Sequence, residues 1–104
     1  MEELTMLDIK KEANGSALRI GLEGRLDTTT CPSLEAALDG ALAGVTDLKF
    51  DFAKLSYISS AGLRVLLSSQ KIMNKQGKMV ISNASAEVKE IFDVTGFSDI
   101  LTIE

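Results

Sequence analysis

Two short polar stretches hold the residues of this chain whose types and spacing could do chemistry. They are Ser59-Ser60-Ala61-Gly62 and Asp27-Thr28-Thr29-Thr30. Ser59 and Ser60 stand at the head of an apolar-periodic run, where a helix has backbone N–H groups without partners. A hydroxyl there is a natural cap and, if phosphorylated, a place where an anion is tolerated. Gly62 allows close packing in the first turn. Asp27 to Thr30 reads as a polar loop and N-cap ahead of a helix that contains Pro32. Taken singly, each stretch admits a structural reading and a functional one.

Most other chemistry is excluded by composition. With 0 histidines, the chain lacks the usual general base and the commonest metal ligand. The single cysteine, Cys31, has no internal disulfide partner and no activating neighbour in sequence, so a buried or capping thiol is expected. The acidic residues show no metal-ligand spacing, and the glycines form no phosphate-cradling loop. No catalytic residue, cofactor or metal site is therefore expected. A net charge of −4 argues against direct nucleic-acid binding, which calls for a basic face. No apolar run approaches about 18 residues, the length that would span a membrane. Met1-Glu2-Glu3-Leu4 lacks the basic start and apolar core of a signal peptide. A cytoplasmic, reducing location is the expectation.

The elements that must position these stretches follow from periodicity. Leu7 and Ile9 alternate with polar residues over 5–12, and Leu18, Ile20 and Leu22 alternate after Asn14-Gly15, a favoured hairpin dipeptide. Residues 4–24 are thus a predicted antiparallel hairpin. Leu34, Leu38 and Leu42, with Ala37 and Ala41, make a helical stripe that Gly40 weakens and Gly44 ends. Leu48, Phe50 and Phe52 predict a strand over about 47–52. A short loop then leads to a helix from Ser60 to Gln76, with Leu63, Leu66, Leu67 and Gln70 on its apolar face and Val65, Ile72 and Met73 widening it. Gly77 is its stop. Residues 78–82 form a short strand. Ser85 caps a helix whose Val88, Ile91, Phe92 and Thr95 face inward and which Gly96 ends. An apolar tail follows, through Phe97, Ile100, Leu101 and Ile103. The order β-β-α-β-α-β-α predicts an α/β chain of α+β character in one domain, 1–104. Its mixed sheet has about four strands, with helices on one face.

Taken together, the two polar stretches resemble a known family. Gly24-Arg25-Leu26-Asp27 and Tyr57-Ile58-Ser59-Ser60-Ala61-Gly62-Leu63-Arg64-Val65-Leu66-Leu67 resemble STAS domains of the anti-sigma factor antagonist family. Val88-Lys89-Glu90-Ile91-Phe92-Asp93-Val94-Thr95-Gly96-Phe97 is similar to the family's last helix. The resemblance covers essentially the whole chain, in the same element order. It implies a STAS-like fold and a regulatory switch. The unphosphorylated domain binds an anti-sigma factor that is also a serine kinase, phosphorylation of a serine releases it, and a serine/threonine phosphatase resets it. The family's phosphoacceptor lies in an Asp-Ser-Ser/Thr-Gly motif and corresponds to Ser60. Ser59 stands where that motif has Asp, and Ala61 where it has the second hydroxyl residue. The family's loop aspartate corresponds to Asp27. The implied partner surface is Asp27, Thr28, Ser59, Ser60, Ala61, Gly62 and Arg64, and a monomer is expected.

The physics of such a switch is simple. A phosphate on Ser60 adds roughly −1.5 to −2 charge. The helix N-terminus favours it by about 0.3–1 kcal/mol, so the fold survives. An uncompensated charge buried in an interface costs about several kcal/mol. Release by two or more orders of magnitude follows, since about 1.4 kcal/mol is tenfold in affinity. A second reading makes the chain a stand-alone STAS subunit of a transport or other regulatory complex, in which Ser60 only caps its helix. A small enzyme or nucleotide-binding protein is the reading the composition supports least.

Overall fold

Alternating apolar and polar residues produce the first two strands, β1 (Leu7–Asn14) and β2 (Ala17–Leu26), which pair antiparallel. The structure, a computed structural model, describes residues 7–104, so the predicted hairpin's first residues lie outside the described residues. The turn sits one residue later than the sequence suggests. Asn14 pairs with Ala17, which leaves Gly15 and Ser16 at its centre. Gly15 has φ 64° and Asn14 is a strand residue, so the turn uses a Gly-X pattern in place of Asn-Gly.

The strands β3 (Asp47–Ile58) and β4 (Lys78–Ser82) complete a sheet ordered β1-β2-β3-β4, with β2, β3 and β4 parallel. The helices α1 (Cys31–Leu38), α2 (Ser60–Gln76) and α3 (Ala86–Thr95) follow β2, β3 and β4 in turn. Both crossovers step the same way across the sheet. Right-handed connections then put the helices on one face. Burial agrees. Leu18, Ile20, Leu48, Phe50, Met79 and Ile81 are buried beneath the helices, while Arg19 is exposed and Lys49 and Asp51 half-exposed on the other face. Phe52 lies between Phe50 and Phe92 of α3, with ring centroids 6.0 and 6.5 Å away, and so ties α3 to the sheet. The predicted fold class and element order are those observed.

Four elements differ from expectation. α1 stops at Leu38, where a helix running on towards Gly44 was predicted. Gly40 takes φ 75°, outside the helical region, and residues 39–45 continue as successive turns. Leu42 is nevertheless buried. β3 runs on to Ile58, through residues expected to form a loop. Its pairing with β2 slips between Gly21/Glu23 and again between Gly24/Arg25, each time with one extra residue on β3. These two bulges break the period-2 pattern after Phe52 and restore burial at Leu55 and Ile58. Finally, Ile72 and Thr95, expected to face inward, are exposed. The Thr95 hydroxyl donates to the Ile91 carbonyl.

The tail closes the core. A 3₁₀ turn at Phe97–Asp99 leads to buried Leu101, and Ile103 bridges Ile81 of β4 in parallel. Ser85 caps α3 by accepting from the Val88 N–H, and Gly96 ends it with φ 83°. No helix among the described residues is long and apolar enough to cross a membrane.

Gly77 joins α2 to β4 where the backbone comes against Thr46, and Lys78 N–H donates to the Thr46 carbonyl at 3.0 Å. A Cβ on Gly77 would stand 2.0 Å from the Thr46 oxygen. Backbone atoms on both sides leave no flexible group to yield. Gly77→Ala should therefore lower the unfolding free energy in urea by about 3 kcal/mol, the upper end of overpacking costs.

On the uncovered face, Asp51 accepts hydrogen bonds from Asn83, from Arg19 at 2.7 Å and from the Ala53 N–H. These donors hold its carboxyl down at about 2, the Asn83 bond contributing most. The folded state thus keeps Asp51 ionised at pH values where an unfolded aspartate, near about 3.9, is protonated. Its stabilisation is complete above about pH 4 and is lost as pH falls towards about 2. Between pH 5 and pH 2 the wild type should lose more stability than Asp51→Asn, with the difference concentrated below pH 4.

Candidate functional site

The parallel strands β2 and β3 end side by side. Leu26 is in register with Ile58, and the Ser59 N–H donates to the Leu26 carbonyl at 2.8 Å. The loop beginning at Asp27 and the start of α2 therefore leave the sheet at neighbouring points on one edge. Of the two stretches singled out in sequence, this register brings both together.

Ser59 is the N-cap of α2. Its backbone is extended, with φ −97° and ψ 175°, and its hydroxyl accepts from the Gly62 N–H. Ser60 is the first helical residue. It is exposed, and its hydroxyl has no hydrogen-bond partner among the described residues. The reading in which Ser60 serves only as the helix cap is corrected accordingly: Ser59 does that work. Ala61 is half-buried and Arg64 is exposed one turn further on. Gly62 is buried. A Cβ there would stand 2.8 Å from Leu26 Cγ and 2.8 Å from Ile58 Cγ1, so the glycine lets the first turn of α2 sit directly on the two strand ends. Its part in the site is to position it.

Asp27 holds its own loop. Its Oδ1 accepts from the Thr29 N–H at 3.0 Å, the Thr29 hydroxyl at 2.7 Å and the Thr30 N–H at 3.1 Å. In return the Asp27 N–H donates to the Thr30 hydroxyl, which itself donates to the Arg25 carbonyl at 2.8 Å. The Thr29 hydroxyl, with the two backbone N–H groups, holds the Asp27 carboxyl below the usual carboxylate range. Its carbonyl accepts from Cys31, the first residue of α1. Thr28 is exposed and free of this network. Cys31 is buried, and burial pushes its thiol up, away from the thiolate.

Sequence reasoning named Thr30 only as part of its stretch, without its role, and missed the Arg25–Tyr57 pair. Thr30 is buried and carries the loop's reciprocal bonds. The Arg25 guanidinium lies 4.4 Å from the Tyr57 ring centre, and its Nε is 3.6 Å from the second Asp27 oxygen. The available signal was the pairing of Arg25 with Tyr57 across the strand ends, which is visible only once the register is known.

Electrostatically the edge is unusual in one respect. Neither α1 nor α2 has an acidic residue in its first turn, whereas α3 has Glu87. The positive end of the 17-residue α2 therefore faces solvent at Ser60 without a neutralising carboxylate on its own first turn. Among the described residues, no group of histidine, cysteine, aspartate or glutamate is placed to hold a metal ion.

The model of the STAS domain family matches residues 8–104. The chain is 30% identical to the anti-sigma-B factor antagonist of Bacillus subtilis over 93% of its own length and 88% of that protein's. Among solved structures, it superposes on an anti-sigma factor antagonist from Mycobacterium paratuberculosis with TM-score 0.85, at 17% identity over 99% of this chain and 89% of that one. It superposes on the Bacillus cell fate determinant SpoIIAA in its phosphorylated form with TM-score 0.73, at 21% identity over 93% and 91%. The likeness to the two solved structures is one of fold.

The two serines should separate cleanly by stability. Ser59→Ala removes the cap and should cost about 1 kcal/mol. Ser60→Ala removes an exposed hydroxyl without an internal partner and should change stability by less than about 0.5 kcal/mol. Urea unfolding of both variants, followed by circular dichroism, checks the division.

Proposed function

The chain belongs to the STAS domain family, and from that premise we propose that it is an anti-sigma factor antagonist. In this reading the unphosphorylated form binds an anti-sigma factor serine kinase and so frees a sigma factor. The kinase phosphorylates Ser60, the complex dissociates, and a serine/threonine phosphatase restores the binding form. The protein acts as a monomer in the cytoplasm.

One observation carries the reading. The Ser60 hydroxyl is exposed, carries no structural bond, and sits on the helix end whose first turn has no acid. A phosphate added there breaks nothing and meets free N–H groups and the positive end of the dipole. The likeness to the anti-sigma-B factor antagonist of Bacillus subtilis supports the same role. Thr28, Ser60 and Arg64 are the exposed residues of the edge, with Asp27, Ser59 and Ala61 half-buried among them and Gly62 beneath. The Asp27 loop, stiffened by Thr29 and Thr30, gives a partner a preorganised surface beside the phosphoacceptor.

The family motif's acidic residue and Ser59 are both good N-caps. Replacing the one by the other keeps the cap and removes one negative charge next to Ser60. The neutral Ser59 leaves the incoming phosphate without a like charge at its side.

Candidate anti-sigma factor kinases, each incubated with the protein and ATP, provide the test, with the phosphate mapped by mass spectrometry. Phosphate is expected at Ser60 and absent in Ser60→Ala, which should still bind the kinase. Ser60→Asp should weaken binding by about 100-fold, or roughly 2.7 kcal/mol. Wild-type affinity in Ser60→Asp would sink the reading.

A further inference from the structure

The two helices that start at the functional edge differ greatly in length. The 8 residues of α1 rise about 12 Å and the 17 of α2 about 25 Å. Because Gly40 stops α1 early, α1 and the turns after it leave part of α2 uncovered. The result is a groove of about 640 Å³, open to solvent along its length. One wall is α2, through Val65, Ser68, Ile72 and Gln76. The other is α1 and its following turns, through Glu35, Leu38, Asp39 and Leu42. The far end is pinned by Gln76, whose amide donates to the Leu42 and Val45 carbonyls. Ile72 is left 45% exposed in it.

Two features say what fits there. The lining has two carboxylates, Glu35 and Asp39, and no lysine or arginine. The groove is also continuous with the edge described above. Each step of four residues turns about 40° around a helix, so Ser60, Arg64, Ser68, Ile72 and Gln76 form one inclined row that winds along α2 from its solvent face to the groove wall. A protein that contacts Ser60 and Arg64 is already on the row that becomes the groove wall. From Ser68 to Gln76 the wall is about 12 Å long, a little over two helical turns.

We propose that this groove is the docking slot for an amphipathic helix of the protein partner. The helix lies along α2, with its apolar face on Leu38, Val65 and Ile72 and its basic residues against Glu35 and Asp39. This is the helix-in-groove mode of recognition, in which apolar anchors supply affinity and rim charges supply orientation. The inference rests on the reading of the chain as a protein-binding switch, and it assigns that partner a second contact that phosphorylation does not touch. Dissociation then needs the charge at Ser60 to outweigh a contact that persists.

The probes are two synthetic amphipathic peptides of the same leucine pattern, one with lysines and one with glutamates on the polar face. Each is titrated into the isotope-labelled protein and followed by amide shifts. The lysine peptide should shift Leu42, Val65, Ser68 and Ile72 saturably and bind at least about tenfold more tightly than the glutamate peptide. Glu35→Lys combined with Asp39→Lys should reverse the preference, while Ser60→Asp should leave it in place. Absence of saturable binding, equal binding of both peptides, or shifts elsewhere would overturn the proposal. So would shifts at these residues that grow with protein concentration alone, which would make a second copy the occupant. Kinase binding separates this inference from the switch. If Ser60→Asp weakens the kinase and the double lysine variant does not, the groove falls and the switch stands. If the lysine peptide binds as described but no kinase modifies Ser60, the groove stands without the switch.

Discussion

The contact of α2's first turn with the ends of β2 and β3 is the constraint on which the candidate site depends. Gly62 stands so close to Leu26 and Ile58 that even a methyl group would collide with both. Those two residues are the last of their strands and are paired in register. Their burial anchors the sheet, the helix and the exits of both loops at once. The Ser59 N–H bond to the Leu26 carbonyl adds direction to that contact. With the helix set down there, Ser60 has little freedom in where it appears, and the Asp27 loop must leave beside it. Overpacking at such a point costs about 1–3 kcal/mol, a large share of the stability of a small domain.

The bulges in β3 serve the same end. Without its two extra residues β3 would keep strict alternation, and Leu55 and Ile58 could not both return to the core face after Phe52. A bulge re-aims a strand and raises its twist. Here it brings Ile58 under Gly62 while leaving Ser56 outside, where its hydroxyl donates to the Gly24 carbonyl. The price falls on legibility. Period-2 reading stops at the first bulge, which is why the sequence suggests a strand end at 52 and a loop where the chain is still in the sheet.

What was legible follows from range. The limits of α2, the Ser85 cap and the Gly96 stop were readable because caps and left-handed stops act within one turn. The end of α1 was misread because Leu42 keeps the helical spacing and stays buried although Gly40 has already broken the helix. The stretch from Asp27 to Thr30 could be read as a loop and N-cap, and Ser59-Ser60 as a capped helix start, from local sequence. Their nearness could not, because it depends on the register between β2 and β3, set by contacts about thirty residues apart in the chain. The family resemblance supplied that pairing before the structure did. The role of Thr30 within its stretch went unread for a related reason: the burial of a threonine in a polar run is disclosed only by its partners.

The division of work between Ser59 and Ser60 explains how one hydroxyl can be free for modification at a helix start. A phosphate on the cap residue would turn the hydroxyl that accepts from the Gly62 N–H into a bulky, charged ester at a half-buried position, against the first turn packed on Leu26 and Ile58. A phosphate on the next residue leaves that bond intact and adds its charge where the helix dipole favours it. The fold is then nearly indifferent to the modification, while any protein lying over the edge must desolvate the new charge or let go. A switch of this kind needs no conformational change in the domain. It needs only that the capping hydroxyl and the reactive one be different residues, with the capping residue bound to the backbone on the side of the packed glycine.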